Sequence, residues 1–454
     1  MSRSGEGAKD ARSVAFVVIA MTAALGVGPA PAAAQQEPAS EAGAPLSVDR
    51  AIELALAQVS VYQQAVIDER IAAEEVTQAR AALLPRARSA STASYNSPVH
   101  HPATASDSSL NPSFIAQNAV HEYQELLGVT GELDIAGGLR AALRKNRALL
   151  DAAHAGTQIA RRALIRGARE AYYGLALATA KRHAAEQSLA AAEEFERVTA
   201  LNADAGEVPE IDLIRARLLT AARRDDLDQA RSGERIAAAG LRLLTGYGRE
   251  QAIVVEPLDP APAPQEVEAI SADAIRRRPE FAQIEAQKRA AHAEIGIARA
   301  ERWPHLVYSL DEGFDSNSFA AAEFRQHRGL LATANLDVPL FDWGASRSKQ
   351  RAAELRAKSV ENQTVLLVRD LDQQFYTARD EALTAARRAE NARRALADAE
   401  KNDTISIARY RAGEAPILEA TDAQATLANQ RIVMQQALYD FQIARERLRE
   451  AAGE

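Results

Sequence analysis

Ala205-Gly206-Glu207-Val208-Pro209, followed by Ile211 and Asp212, returns 207 positions later as Ala412-Gly413-Glu414-Ala415-Pro416, followed by Leu418 and Glu419. Each copy ends a helix-patterned stretch of about 70 residues, which as one continuous helix would be on the order of 100 Å long. No compact single domain holds such a helix. A period near 200 residues is too long for a solenoid repeat and fits a duplicated half-molecule. The other landmarks recur in the same order. Ala79-Arg80-Ala81-Ala82-Leu83-Leu84-Pro85 precedes Ala298-Arg299-Ala300-Glu301-Arg302-Trp303-Pro304 by 219 positions, and Gly138-Leu139-Arg140 precedes Gly344-Ala345-Ser346-Arg347 by about 206. The first copy therefore carries 13 extra residues between its proline and its glycine, an insertion expected in a surface loop.

Along the long stretches, apolar and small residues step by three and four. In the second copy they run Ala357, Val360, Thr364, Leu367, Leu371, Phe375, Ala378, Ala382, Ala385, Ala389, Ala392, Leu396 and Ala399. Such a ridge of small side chains lets helix axes approach closely. Shorter helices are expected to return from Pro209 to Leu244 and from Pro416 to the carboxyl terminus. Others cover Val48 to Leu84 and Pro279 to Trp303, each ended by a proline.

Between each proline and the next glycine the period changes to two. Leu330, Ala332, Ala334, Leu336, Val338 and Leu340 alternate with Leu331, Thr333, Asn335, Asp337 and Pro339, Leu306, Tyr308 and Leu310 with Val307, Ser309 and Asp311, and in the first copy Leu127, Val129, Gly131, Leu133 and Ile135 with Gly128, Thr130, Glu132 and Asp134. Strands are expected at about 87–97, 127–136, 305–314 and 329–341, each apolar on one face. Glu132, Asp134, Asp311, Asn335 and Asp337 belong to the opposite, polar face and are candidate pore-lining residues. Strands of about ten residues with this alternation suit a tilted transmembrane barrel, and equally the half-buried sheet of a soluble protein. Polar loops rich in turn formers join each pair: Asn96 to Gln117, with Pro98, Pro102 and Pro112, and Gly313 to Gln326. A proline-rich connector at 246–265 separates the first repeat, 35–245, from the second, 266–454.

Residues 1–34 read as an export signal: Arg3, Lys9 and Arg12, an apolar run from Val14 to Val27, then Ala32-Ala33-Ala34. The whole chain carries 54 basic and 62 acidic residues, a balance that disfavours nucleic acid as a partner. It has no cysteine, which excludes a thiol nucleophile, a thiolate metal site and an acylated amino-terminal cysteine. No later run of about 20 apolar residues offers a spanning helix. Phosphate loops, the zinc-protease helix motif and the G-x-S-x-G elbow are missing, so neither an enzyme nor a cofactor is expected. His100-His101, the sole histidine pair, lies in a long loop with no further fixed ligands. Four strands cannot close a membrane barrel, but three chains would supply twelve.

In order and in both copies, these landmarks resemble the TolC family of outer membrane efflux and secretion channels. Leu46 to Leu56 is similar to its opening helix, and Arg278-Pro279-Glu280-Phe281 to the start of its second half. Pro339-Leu340-Phe341-Asp342-Trp343-Gly344 is similar to its strand-to-helix junction. Tyr410-Arg411-Ala412-Gly413 with Glu419-Ala420-Thr421-Asp422-Ala423-Gln424 resembles its periplasmic tip. The resemblance implies a mainly α fold with a membrane β-barrel: a homotrimer whose twelve strands form one barrel in outer membrane lipid and whose antiparallel helices form a periplasmic tunnel. It further implies passive export beside a periplasmic adaptor and an inner membrane pump of the RND, MFS or ABC type. Asp212, Tyr410, Glu419 and Asp422 would then form the periplasmic gate. The exposed tips Gly206, Glu207, Val208, Gly413, Glu414 and Ala415 would dock the adaptor. Ala415 stands where the family sometimes has a basic residue, and Glu419 is longer than the usual aspartate, so the closed gate would be held differently. The rival reading is a soluble periplasmic coiled-coil scaffold or adaptor.

Overall fold

The computed structural model describes residues 45–95, 121–248, 253–258, 264–317 and 320–453. The expected export signal, the loop containing His100-His101, Asn96 and Ser97 of the first expected strand, and the centre of the connector lie outside them.

The chain order is α1 (Val48–Ala57), α2 (Val61–Ala81), β1 (Arg86–Tyr95), β2 (His121–Leu133), α3 (Gly138–Asp204), α4 (Glu210–Thr245), α5 (Pro264–Glu268), α6 (Pro279–Ala300), β3 (His305–Ser316), α7 (Ala321–Gln326), β4 (Arg328–Asp337), α8 (Ala345–Arg411) and α9 (Ile417–Ala452). α3 and α8 each have 67 residues, and α4 and α9 each have 36. Left-handed glycines mark the same three points in both halves: Gly137 and Gly344 before the long helices, Gly206 and Gly413 at the tips, Gly246 and Gly453 after the return helices. Every pair is separated by 207 positions. The partner of Gly344 is thus Gly137, not Gly138 as the motif suggests, because only the residue with positive φ makes the turn from strand to helix.

Four other boundaries differ from expectation. The segment Val48 to Leu84 is two helices, broken at 58–60, where Gln58 reaches across to the carbonyl of Thr245 (3.5 Å). β2 starts at His121, six residues early, and ends at Leu133. β4 ends at Asp337, since Pro339 has no N–H for a ladder. The loop after β3 contains the short helix α7.

The strands form one antiparallel sheet in the order β1-β2-β3-β4. Its register sorts the side chains. Ala87, Val129, Leu310 and Ala332 lie across from one another on one face, as do Leu133, Leu306 and Leu336. The other face carries Arg86, Thr130, Ser309 and Thr333, and Glu132 and Asn335 flanking Val307. Glu125, Glu312 and Arg328 interrupt the apolar face toward the loop end, with Arg328 paired to Glu312.

Among the described helices the ridge on α8 is buried as the spacing predicts, with Ala382 at 0% exposure and Ala389 at 1%. Larger side chains gather where the connector meets the helices. Phe375, Phe441, Leu371 and Leu448 pack with Val267 and Ile275 in one cluster, and Tyr172, Leu175 and Leu241 with Leu46 in another. Tyr172 ties the connector to the first half: its hydroxyl donates to Leu46 O (2.8 Å) and accepts from Glu256 N (3.0 Å). Tyr172→Phe would strand both backbone groups, at about 1–3 kcal/mol. Faster proteolytic cleavage within 246–265 is the expected readout.

Candidate functional site

Both tips are built by the same turn. Glu207 N–H donates to Asn202 O (2.8 Å) and Gly206 N–H to Ala203 O (3.0 Å); Glu414 and Gly413 repeat this with Arg409 O (2.9 Å) and Tyr410 O (3.0 Å). This double bond pattern around a left-handed glycine caps the descending helix. Pro209 and Pro416 then occupy the N-cap of the ascending helix. Asp212 and Glu419 fall in its first turn, where a carboxylate offsets the positive helix end. Gly206, Glu207, Gly413 and Glu414 are exposed at the extremity, while Val208 and Ala415 are half-buried.

The candidate gate residues do not share one environment. Tyr410 is buried among Phe195, Ala216, Ile417 and Ala420, its ring 5.4 Å from that of Phe195. Its hydroxyl sits beside Thr199 and Asp212. Burial pushes the phenol above its ordinary range; the Thr199 hydroxyl works against that shift, and the Asp212 carboxylate adds to it. Glu419 is half-buried and bonded to Arg409 Nη1 at 2.5 Å. Asp422 is exposed. Among the described residues, neither Asp212 nor Asp422 has a cation within ion-pair distance.

Arg409 explains how the tip manages with Ala415. The cation comes from the last turn of α8, ten residues before Glu419, instead of from the turn itself. The equivalent position in the first half is Asn202, which leaves Asp212 without such a partner. Spacing alone does not single out Arg409 from Arg411, since only the hairpin's geometry shows which one faces α9.

On the sheet, Glu132, Asp311, Asn335 and Asp337 share the polar face by register. Arg88 reaches both Asp311 oxygens (3.2 Å each), Ser309 Oγ donates to Asp311 Oδ2 (2.7 Å), and His305 Nδ1 lies 3.2 Å from Glu132 Oε1. Gly128 makes room for Asp311, for a Cβ there would stand 2.1 Å from Asp311 Oδ1. Asp134 is a correction. It follows the last residue of β2, and its carboxylate accepts from the N–H groups of Leu139 and Arg140 (3.0 Å each) and from Arg140 Nε (2.9 Å), capping α3. Asp342 does the same for α8 through Gly344 N (3.0 Å) and Ser346 N (2.7 Å). The contacts with Ser346 hold its carboxyl below the usual range.

The described residues contain no group of three or more side chains placed to hold a metal ion, and none of their helices is long and apolar enough to cross a membrane.

A family model described as outer membrane efflux protein matches residues 51–247 and 270–454. The chain is 26% identical over 325 residues to the pyoverdine export outer membrane protein OpmQ of Pseudomonas aeruginosa, covering 68% of this chain and 65% of that protein. It is also 26% identical to the outer membrane protein OprJ of the same species, over 83% of this chain and 77% of OprJ. The aligned part thus spans roughly two thirds to three quarters of these relatives. The crystal structure of the Campylobacter jejuni CmeC outer membrane channel shares the fold with a TM-score of 0.79 at 18% identity, over 89% of this chain and 85% of CmeC. With both repeats matched in order, the chain belongs to the outer membrane efflux protein family.

Proposed function

We propose that three copies of the chain form an outer membrane channel whose helices continue as a periplasmic tunnel, the passive exit duct of an export machine. The observation that carries this reading is the two-faced sheet joined directly to two 67-residue helices. Its outer strands, β1 and β4, each have one unpaired edge in a single chain. An open edge is not tolerated in lipid, so β4 of one copy meeting β1 of the next removes every edge when the ring closes. The apolar face then meets lipid, and Arg88, Glu132, Asp311, Asn335 and Asp337 line water. Exposed Trp303, Phe341 and Trp343 cluster at the helix ends of the strands, where a membrane interface places aromatic rings.

At the far end, the carboxylates of three tips would surround one axis and favour cations. The exposed tip turns offer docking points for a periplasmic adaptor, which would join the duct to an inner membrane pump. Cargo selection is assigned to that pump, the duct itself being passive.

The test is fractionation followed by electrophoresis without heating. A barrel stays in the detergent-insoluble envelope, migrates as a trimer and conducts in planar bilayers. Release as a monomer by osmotic shock would instead establish the soluble scaffold.

A further inference from the structure

Each half lays its short helix on its long helix in the same way. His154 of α3 meets Glu69 of α2 (2.8 Å), and 207 positions later Glu361 of α8 meets His292 of α6 (3.5 Å). α6 also makes a second contact, across to α3 of the other half. There Arg289 pairs with Asp151 (2.8 Å) and Glu294 with Lys145 (3.1 Å), and a Cβ on Gly296 would stand 3.1 Å from Ala141 Cβ. These contacts fix an antiparallel register in which Ala290 falls opposite Ala148 and Ala286 opposite Ala152. All four are buried, Ala290 at 5% and Ala148 at 4% exposure.

The equivalent second contact of α2, against an α8, is left open within the chain. The repeat offsets name its residues. Subtracting 219 turns Ala290 and Ala286 into Ile71 and Ile67, and adding 207 turns Ala148 and Ala152 into Leu355 and Ser359. Ile71 is 52% exposed and Leu355 68%, and Ile67 and Ser359 are exposed as well. Ala72 and Val76, on the stripe of Ala65 and Glu69 that meets α3, are buried. In a single chain, water thus faces branched aliphatic side chains at the positions that are sealed between α6 and α3.

We propose that α2 of one copy packs on α8 of the next copy in this register, with Ile71 against Leu355 and Ile67 beside Ser359. The neighbouring copies are those of the channel reading, on which the contact rests. The charges at its edges agree with the pairing. Arg144, whose Nη2 lies 3.9 Å from the Cβ position of Gly296, becomes Arg351, and Glu294 becomes Glu75, so acid and base keep their sides. Arg289 and Asp151 become Arg70 and Lys358, two cations, and Asp68 stands opposite Lys358 in the same register. The exchange of alanine for isoleucine and leucine also has a physical reason. A seam inside one chain is closed by the fold, and alanines let its helices lie close. Between copies the seam must also offset the freedom lost on association, and larger aliphatic side chains bury more apolar area for that.

The chain has no cysteine, so introduced thiols report the contact without background. Full-length Ile71→Cys with Leu355→Cys, treated in membranes with a short bis-thiosulfonate cross-linker that spans more than a direct disulfide, is read by electrophoresis after heating without reductant. Covalent trimer should exceed that of either single variant by at least about tenfold, because the thiols are held together. Ala148→Cys with Ala290→Cys should link inside one chain and give no covalent oligomer. Ile71→Cys with Leu366→Cys tests the register, since Leu366 is exposed but lies about 16 Å farther along α8. Equal linking at Leu355 and Leu366, or no linking at Leu355 in a protein that still migrates as a trimer unheated, overturns the proposal and leaves the channel standing. A protein that is monomeric unheated and links nowhere between copies overturns both. Leu355→Asp needs no thiol: it should keep the helical circular dichroism and lower the yield of unheated trimer at least about tenfold, since the contact would bury an unpaired charge. A wild-type yield of trimer in that variant also overturns the proposal.

Discussion

Replacing Arg409 by alanine is expected to raise the affinity of the pore for multivalent cation blockers by at least about tenfold, and Glu419→Ala with Asp422→Ala to remove most of that block. In each chain Arg409 holds Glu419 at 2.5 Å and cancels its charge locally. Freed from it, three glutamates around the axis add three negative charges to those of Asp212 and Asp422. A trivalent ion feels all of them together. The pair is part-exposed, at 46% and 35%, so its contribution to folding is small, about 0–1 kcal/mol. The variant should therefore assemble normally, which separates an electrostatic effect from collapse of the tip. Arg409→Lys keeps the charge and should behave like the wild type toward blockers. Single-channel recording with a trivalent cation decides the matter: identical block in Arg409→Ala and in the double variant would remove these residues from the gate.

Much of this architecture is legible in the chain itself. The two copies of Ala-Gly-Glu-x-Pro announce two equal hairpins because a left-handed glycine followed by proline has few other uses after a long helix. The change of period from near 3.6 to 2 marks the sheet, since it reflects which side chains are covered. What resists reading is whatever depends on a partner far away in sequence. Arg88 and Asp311 meet only because β1, β2 and β3 pair in one register, with Gly128 between them. Asp134 continues the alternation of β2 in the sequence, yet belongs to the helix cap, because capping geometry outweighs a pattern at its last position. Asp342 offers the missing clue, for it precedes its own glycine in the second copy and caps α8.

Phe441→Ala is expected to destabilise the helical body by about 3–5 kcal/mol, the largest loss from any single truncation considered. Phe441 is 1% exposed and packs with Phe375, Leu371 and Leu448, each at 1% or less. Farther along α8 the ridge is built from alanine, where a truncation has little left to remove and the helices already lie close. At Phe441 the gap is filled by large side chains, so deletion leaves a cavity that the alanine-lined neighbourhood cannot close. Arg445, whose guanidinium carbon lies 5.9 Å from the Phe441 ring centre, would lose its seat as well. The same cluster includes Val267 and Ile275, just past the connector, so loosening it frees the start of the second repeat. Phe441→Leu retains most of the volume and should cost less than half as much, whereas Ile236→Ala, at a side chain 71% exposed in the single chain, serves as the surface control. Denaturant unfolding of the detergent-solubilised protein, followed by helical circular dichroism, should rank the variants in that order. A Phe441→Ala midpoint equal to that of Ile236→Ala would show that packing in this cluster of the second repeat does not limit stability.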